Sequence, residues 1–497
     1  MKLRELAEGL DDFVLRKQFL DDSIEILHIS EDSRDEMIDS KTLFFAIQGS
    51  SVDATKFIPE LINRGCRTFI TNKGISVEGV NLLVVRDIRK VEALVSKKFF
   101  GDPASRLKVI GVTGTKGKTT ISYMVYNALR NVGIDGGLIG TIEYRVGGTS
   151  MPAPNTTPSP LQLYSLLNDV VGSGGKFVSM EVSSHALVMD RVFGLKFDVA
   201  GFTNLSREHL DFHKTMEEYF NAKMLLFKQL KEINPDGYAV INIDNDWGRK
   251  AYEFVKSLGI ETLTCSIERD DADVRAKNIS ISIGGTTLKF IVEGREFKAN
   301  LVMPGLHNVY NAMMALAMAM KAIENPKIDA LVDGISKTEV KGRFQVLRSN
   351  RGFYVVVVDY AHTPDSLEKT LATARSFKPK RLTVVFGAGG DRDKGKRPMM
   401  GEIASKLADK VIITNDNPRT ENPLGIINDI LSGIDKENMK KVIVIEDRAL
   451  AINEALKLAV EGEIIVIAGK GHEDYQIIGS EKIHFSDIEE VMKSKYF

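Results

Sequence analysis

The run Val109-Ile110-Gly111-Val112-Thr113-Gly114-Thr115-Lys116-Gly117-Lys118-Thr119-Thr120 constrains this chain more than any other stretch. An apolar strand passes through a glycine-containing loop into a helix with apolar residues at Ile121, Met124, Val125, Ala128 and Leu129. Those offsets, i, i+3, i+4, i+7 and i+8, are the stripe of a helix packed on a sheet. The order predicts a phosphate-binding loop. Backbone N–H groups at the helix start would cradle phosphates, Lys118 would reach the terminal ones, and the Thr119 hydroxyl would face Mg²⁺. The match is Gly-x-x-Gly-Lys-Thr, with Val112 where the longer Walker form has glycine. A plain glycine turn carrying a surface lysine is the competing reading. It does not explain why strand, loop, Lys-Thr and helix follow in the required order.

The rest of the chain alternates short β-branched runs with helical patterns, which predicts α/β domains with largely parallel sheets. Strands are expected at Leu107–Val112, Phe177–Val182, Val199–Phe202, Tyr354–Val358, Thr383–Phe386, Lys410–Ile413 and Glu463–Ala468. Several end in Gly, Asn, Asp or His, at the edge where open α/β sheets place their chemistry. A turn at Gly101-Asp102-Pro103 and a break near Lys337–Gly342 divide the 497 residues into 1–105, 106–338 and 339–497. Each part is large enough for its own core.

The charge balance, Lys+Arg 66 against Asp+Glu 67, excludes a general polyanion binder and leaves room for a local basic pocket. No nucleic-acid partner is expected. Cys66 and Cys265 match no metal spacing and exclude a disulfide framework. The N-terminus lacks a secretory apolar region, and the longest apolar run, Ala312–Met320, is too short to cross a bilayer. A cytoplasmic protein without membrane insertion is expected.

Glu181 closes one predicted strand, and His209 follows another. A carboxylate and an imidazole at neighbouring strand ends suit Mg²⁺ beside nucleotide phosphates, although oxygen is the preferred donor. Each alone could be a solvated strand-end acid or a capping histidine. Lys223, in the apolar helical stretch Tyr219–Phe227, reads by spacing as a lysine that snorkels to solvent.

These residues resemble the Mur ligases, the ATP-dependent amide-forming enzymes of peptidoglycan assembly. Gly114-Thr115-Lys116-Gly117-Lys118-Thr119-Thr120 is similar to their phosphate loop, usually written with Asn where this chain has Lys116. Asn155-Thr156-Thr157-Pro158, Glu181-Val182-Ser183-Ser184-His185, His209-Leu210-Asp211 and Ala222-Lys223 follow in family order. So do Gly305-x-His307-Asn308-x-x-Asn311, Gly342-Arg343, Asp359-Tyr360-Ala361-His362-x-Pro364 and Gly469-Lys470-Gly471-His472-Glu473. With Asp32-Ser33-Arg34, the resemblance spans nearly the whole chain.

The resemblance implies a three-domain architecture with a central phosphate-loop ATPase domain and a Rossmann-like C-terminal domain. In order, the domains would bind the UDP end of the acceptor, ATP, and the incoming amino acid. It implies that Lys223 is carbamylated. An ammonium cannot bind a cation, whereas a carbamate can join Thr119, Glu181 and His209 around Mg²⁺. It assigns Asn308 and Arg343 to ATP, and Asp359 and His362 to the wall of that site. Ser33, Asn155, Thr156, Thr157, Ser183 and Arg191 would hold a UDP-N-acetylmuramoyl dipeptide. Met189 stands where the family often has Gln.

Within the family, the chain is most similar to the branch that adds the third residue of the stem peptide. In that branch Asp416-Asn417-Pro418-Arg419 resembles the signature for meso-diaminopimelate. The physics agrees. This amino acid differs from lysine by a second carboxylate, which arginine recognises with two parallel hydrogen bonds. Arg392 and Arg419 would bind carboxylate. Asn417, Gly469 and Glu473 would complete the pocket, with Glu473 on the distal ammonium. The expected enzyme is therefore a monomeric ligase that adds meso-diaminopimelate to UDP-N-acetylmuramoyl-L-alanyl-D-glutamate through an acyl phosphate. That reaction would serve cell-wall biogenesis, cell shape and division. The rivals are a lysine-adding ligase, a folylpolyglutamate-synthase-like ligase, and a nucleotide switch without ligase chemistry. Arg392 with Arg419 opposes the first, Asp32-Ser33-Arg34 the second, and Glu181, His209 and Lys223 the third.

Overall fold

The structure is a computed structural model of the chain. It describes residues 1–49, 53–349 and 352–497, with the side chains of Leu210 and Asp211 outside the described set. The chain divides into two compact units. The first comprises residues 1–275, 291–297 and 310–335, and the second residues 276–290, 298–309 and 336–497.

The first unit opens with strands β1 (Val14–Gln18), β2 (His28–Ser30), β3 (Thr42–Ala46), β4 (Thr68–Thr71) and β5 (Asn81–Val85). They form a sheet in the order β1-β5-β4-β3-β2, with only β1 antiparallel to its neighbour. Strands β3, β4 and β5 are buried along their whole length, as expected of parallel strands covered on both faces.

The same unit holds β6 (Lys108–Thr113), β7 (Gly136–Ile139), β8 (Glu143–Val146), β9 (Thr149–Pro152), β10 (Phe177–Glu181), β11 (Val199–Phe202), β12 (Tyr238–Asn242) and β13 (Glu261–Ser266). Their order is β13-β12-β11-β6-β10-β7-β8-β9. From β13 to β7 the pairs are parallel, and β8 and β9 form an antiparallel edge. Strand β6 sits between β10 and β11, so the loops after these three strands meet at the reversal of strand order. The helix Lys118–Asn131 packs its predicted stripe inward: Ile121, Met124, Val125, Ala128 and Leu129 are all fully buried.

Strands β14 (Val274–Ser282), β15 (Gly285–Val292) and β16 (Arg295–Leu301) follow, with residues in both units. In the second unit lie β17 (Gln345–Arg348), β18 (Tyr354–Asp359), β19 (Arg381–Phe386), β20 (Lys410–Ile413), β21 (Val442–Val444) and β22 (Glu463–Ala468). The sheet order is β17-β18-β22-β19-β20-β21, parallel except for β17. A hairpin, β23 (Tyr475–Ile478) and β24 (Glu481–His484), forms a separate two-stranded antiparallel sheet. Val356, Val358, Ile465 and Ile467 build a core on one face of this sheet, and Val357, Val384, Val411 and Val466 one on the other. Every strand named from the sequence is present, displaced by two residues or fewer at its ends.

Cys66 and Cys265 are buried, unpaired thiols. Among the described residues no helix is long and apolar enough to cross a membrane.

Candidate active site

In the first unit the site grows from the end of β6. Gly114 has φ 144° and Gly117 φ 92°, backbone that side-chain-bearing residues rarely adopt. Space is closed as well. A Cβ on Gly114 would lie 1.9 Å from Thr203 Oγ1, and one on Gly117 2.4 Å from Asn311 Oδ1. Gly117 also caps the helix Lys118–Asn131, which leaves its first N–H groups facing the loop. Lys118 Nζ donates to the carbonyls of Gly114 and Thr115 at 2.9 and 3.0 Å. Thr119 and Thr120 are buried.

The loop after β11 is laced onto this phosphate loop. Thr203 Oγ1 and Asn204 Nδ2 donate to Lys116 O, Lys116 N donates to Asn204 Oδ1, and Ser206 N donates to Thr115 Oγ1. Lys116, which the sequence left unexplained, lies with Nζ 3.2 Å from Glu208 Oε1. His209, with φ 57°, follows directly. Its ring meets His185 and Tyr219 edge-on, at 4.8 and 6.1 Å between centroids. Desolvation holds its pKa below the usual imidazole value, against the pull of Glu208.

Lys223 departs from the snorkelling expectation. It is 1% exposed, its Nζ donates to Gly114 O at 2.9 Å, and it sits 4.3 Å over the Tyr219 ring. The reason is tertiary: the buried face of the helix Met216–Ile233 turns toward the phosphate loop, so the stem has no route to water. Burial, reinforced by Lys118, pushes the Lys223 pKa well down.

Glu181, the last residue of β10, is 1% exposed. Thr141 N donates to its Oε1 at 2.7 Å, and Thr119 Oγ1 and Thr141 Oγ1 donate to its Oε2 at 3.0 and 3.2 Å. These are all neutral donors around a buried carboxylate. A charge so placed calls for a cation, and an oxygen-rich set of Glu181 and Thr119 suits a hard divalent one.

Next to it, Thr157 Oγ1 donates to Glu181 O and accepts from Ser183 N, while Arg191 donates to Thr157 O at 2.8 Å. Thr156 Oγ1 is 3.0 Å from Thr141 Oγ1, and Asn155 O accepts from Tyr144. Ser183 caps the helix Ser184–Val188, and Met189 lies exposed just beyond it. Ser33 lies with Arg34, Glu36, Phe57, Glu60 and Arg64 in an open cleft of about 570 Å³.

In the second unit, the predicted amino-acid residues converge on the loops after β19, β20 and β22. A Cβ on Gly389 would stand 3.1 Å from Arg419 Nη1 and 3.8 Å from Arg392 Cγ, so both arginines border one glycine. Arg419, at φ 52°, is pinned by its N–H to Ile477 O, by Gly479 N–H to its own carbonyl, and by Nη1 to Gly390 O at 2.7 Å. The Pro418 carbonyl packs against Gly390, and the Asp416 carboxylate against Gly469, each leaving no room for a Cβ.

Asn417 Nδ2 donates to Glu473 Oε2 at 3.0 Å. Lys470, fully buried and given no role by the sequence, donates to Asn417 Oδ1 and Glu473 Oε2 at 3.0 and 3.2 Å. Burial raises the Glu473 pKa, and Lys470 opposes the rise.

Elsewhere in this unit Asp359 accepts from the N–H groups of Phe344 and Ala361 and from Thr370 Oγ1. The Arg343 guanidinium lies 4.6 Å over the Tyr360 ring, His362 Nδ1 bonds Tyr360 O, and Asn308 Nδ2 donates to Pro304 O. Thr141 and Lys470 are the residues sequence reasoning passed over. Thr141 had a signal, since Gly140-Thr141 follows a strand at the sheet edge where sites collect.

Residues 112–319 match the family model of the Mur ligase middle domain, and residues 342–471 that of the Mur ligase glutamate ligase domain. The chain belongs to the Mur ligase family. A curated relative from Clostridium perfringens, a UDP-N-acetylmuramoyl-L-alanyl-D-glutamate–2,6-diaminopimelate ligase, is 40% identical over 496 residues, 99% of each chain. One of the same description from Listeria monocytogenes is 41% identical over 491 residues, 98% of this chain and 97% of its own. A solved structure of such a ligase superposes with a TM-score of 0.70 at 32% identity, covering 99% of this chain and 98% of its own. Within the family, the branch is the MurE type.

Proposed function

We propose that this chain is an ATP-dependent ligase that joins meso-diaminopimelate to UDP-N-acetylmuramoyl-L-alanyl-D-glutamate during peptidoglycan precursor synthesis. The observation that carries the substrate choice is the pair Arg392 and Arg419 at one glycine, beside Asn417 and Glu473. Two guanidinium groups suit the carboxylates of the amino acid, and Glu473 its distal ammonium. Lysine would leave an arginine without its carboxylate, a heavy penalty for the wrong substrate.

The acceptor's carboxylate attacks the γ-phosphorus of ATP and ADP leaves, giving an acyl phosphate. The amine nitrogen then adds to the acyl carbon, and the tetrahedral intermediate expels phosphate as the nitrogen loses its proton. Positioning and charge neutralisation carry such chemistry. Lys118 turns from the Gly114 and Thr115 carbonyls to the terminal phosphates, while the N–H groups of residues 114–120 line the phosphate chain. We also assign Asn308, Arg343 and Asp359 to ATP. Ser33, Asn155, Thr156, Thr157, Ser183 and Arg191 hold the UDP-linked dipeptide. Thr119, Glu181, His209 and Lys223 as carbamate would hold Mg²⁺, which when bound neutralises phosphate charge. The parts 1–105, 106–338 and 339–497 then serve acceptor, nucleotide and amino acid. We place the enzyme in the cytoplasm as a monomer.

The test is purified protein with ATP, Mg²⁺, the UDP-linked dipeptide, and either meso-diaminopimelate or L-lysine. Acceptor-dependent phosphate release with diaminopimelate is expected. Release with neither amino acid sinks the reading, and a preference for lysine overturns the substrate alone.

A further inference from the structure

We propose that Thr141 is a positioning residue that couples the metal–nucleotide site to the acceptor site through one shared hydroxyl. The inference rests on the functional reading above, which gives Glu181 to the metal and Thr156 to the acceptor.

Thr141 stands between the two. Its N–H donates to Glu181 Oε1 at 2.7 Å, its hydroxyl to Glu181 Oε2 at 3.2 Å, and that same hydroxyl lies 3.0 Å from Thr156 Oγ1. Gly140 lets the strand end come this close, since a Cβ there would stand 2.6 Å from Glu181 Oε1. Thr119 also donates to Glu181 Oε2 but belongs to the phosphate loop, and the Thr157 hydroxyl engages the Glu181 main-chain carbonyl instead.

A threonine hydroxyl has one proton and can also accept. The proton of Thr141 therefore chooses between the Glu181 carboxylate and Thr156. With the proton on Glu181, Thr156 donates to Thr141 and its own proton is spent. A cation held by Glu181 would compete with the hydroxyl proton for the carboxylate. The Thr141 proton then turns to Thr156, and the Thr156 proton is released toward an anionic oxygen of the acceptor. Read from the other end, an acceptor that takes the Thr156 proton draws the Thr141 proton away from Glu181 and leaves the Thr119 hydroxyl as the donor on Oε2. Each ligand favours the arrangement the other needs, and linkage makes the effect equal in both directions. Chains of hydroxyls polarise one another in the same sense.

The experiment is calorimetric titration of the intact protein with magnesium and a non-hydrolysable ATP analogue, with and without saturating UDP-linked dipeptide. In the unaltered protein the dipeptide should tighten nucleotide binding by about 5- to 50-fold. The factor should vanish when the nucleotide is titrated without a divalent cation, because no cation then competes with the Thr141 hydroxyl for the Glu181 carboxylate. Thr141→Ser should keep the factor. Thr141→Val should bring it to about one while each ligand alone still binds, and Thr141→Ala repeats the test if the valine variant melts early. A factor retained in the valine or alanine variant, or absent from the unaltered protein with both ligands bound, overturns the role of Thr141. Failure of the dipeptide to bind at all overturns the functional reading itself, and this inference with it.

Discussion

The ammonium groups of Lys118 and Lys223 donate to the same carbonyl oxygen, that of Gly114, each at 2.9 Å. Two cations on one acceptor are costly, and Lys223 has no exposure to offset it. Burial and the Lys118 charge hold its pKa well down, which favours the free amine more than at an exposed lysine. A free amine adds to the carbon of CO2 and loses a proton, which gives the carbamate.

Lys223→Ala should therefore lose nearly all ligase activity, about 100-fold or more if a metal ligand is lost. Short-chain carboxylic acids should return part of it by standing in for the carbamate. Phosphate release is the assay, and no rescue at any acid concentration would refute the carbamate.

Arg419→Ala should weaken the use of meso-diaminopimelate selectively. Loss of a charged hydrogen bond is worth roughly 1.5–3 kcal/mol, which converts to about 10- to 150-fold in kcat/KM. Competition between diaminopimelate and lysine reads the change. An unaltered preference would mean that the pocket lies elsewhere.

Lys116→Asn should fold and work. The Lys116–Glu208 pair is partly solvated, at 33% and 18% side-chain exposure, and such pairs contribute about 0–1 kcal/mol. The KM for ATP should shift less than tenfold, and a double-mutant cycle with Glu208→Gln should give a coupling within that energy. A larger coupling would show that the pair does more than tether the loop after β11 to the phosphate loop.

Glu421 supplies a pH signature. Arg397, fully buried, holds its carboxyl down to about 2, below the ordinary 4.5. With the folded pKa depressed, the stabilisation is complete above about 4.5 and is lost as pH falls toward 2. Glu421→Gln should lower the urea midpoint at pH 7, at a cost below the roughly 3–5 kcal/mol of an orphaned buried charge. Asp429 still pairs Arg397 and supplies the difference. The gap from the parent should close between pH 5 and pH 2. A gap that stays constant with pH would assign the loss to packing.

The strands and the phosphate loop were legible because their signals are local. A buried parallel strand is a β-branched run, and Gly114 and Gly117 announce backbone that other residues avoid. The ordered motifs named Glu181 with Thr157 and Arg392 with Arg419, and the structure brings each pair together within its own unit. Lys223 was not legible from spacing, nor were Thr141 and Lys470. A helical lysine reads as solvent-seeking until the elements around its tip are known.

By itself, the amino-acid order determined the alternation of strand and helix, the glycine loop at the end of β6, and the near-zero net charge. These follow from periodicity, backbone sterics and charge, which act over a few residues or over the whole sum. Only the tertiary structure decided which long or short side chains lose access to water and which then face one another. It buried Lys223 against Gly114, placed Lys470 between Asn417 and Glu473, and set the Thr141 hydroxyl between Glu181 and Thr156. Desolvation and hydrogen-bond geometry depend on neighbours far away in the chain, and those neighbours exist only once the sheet has assembled.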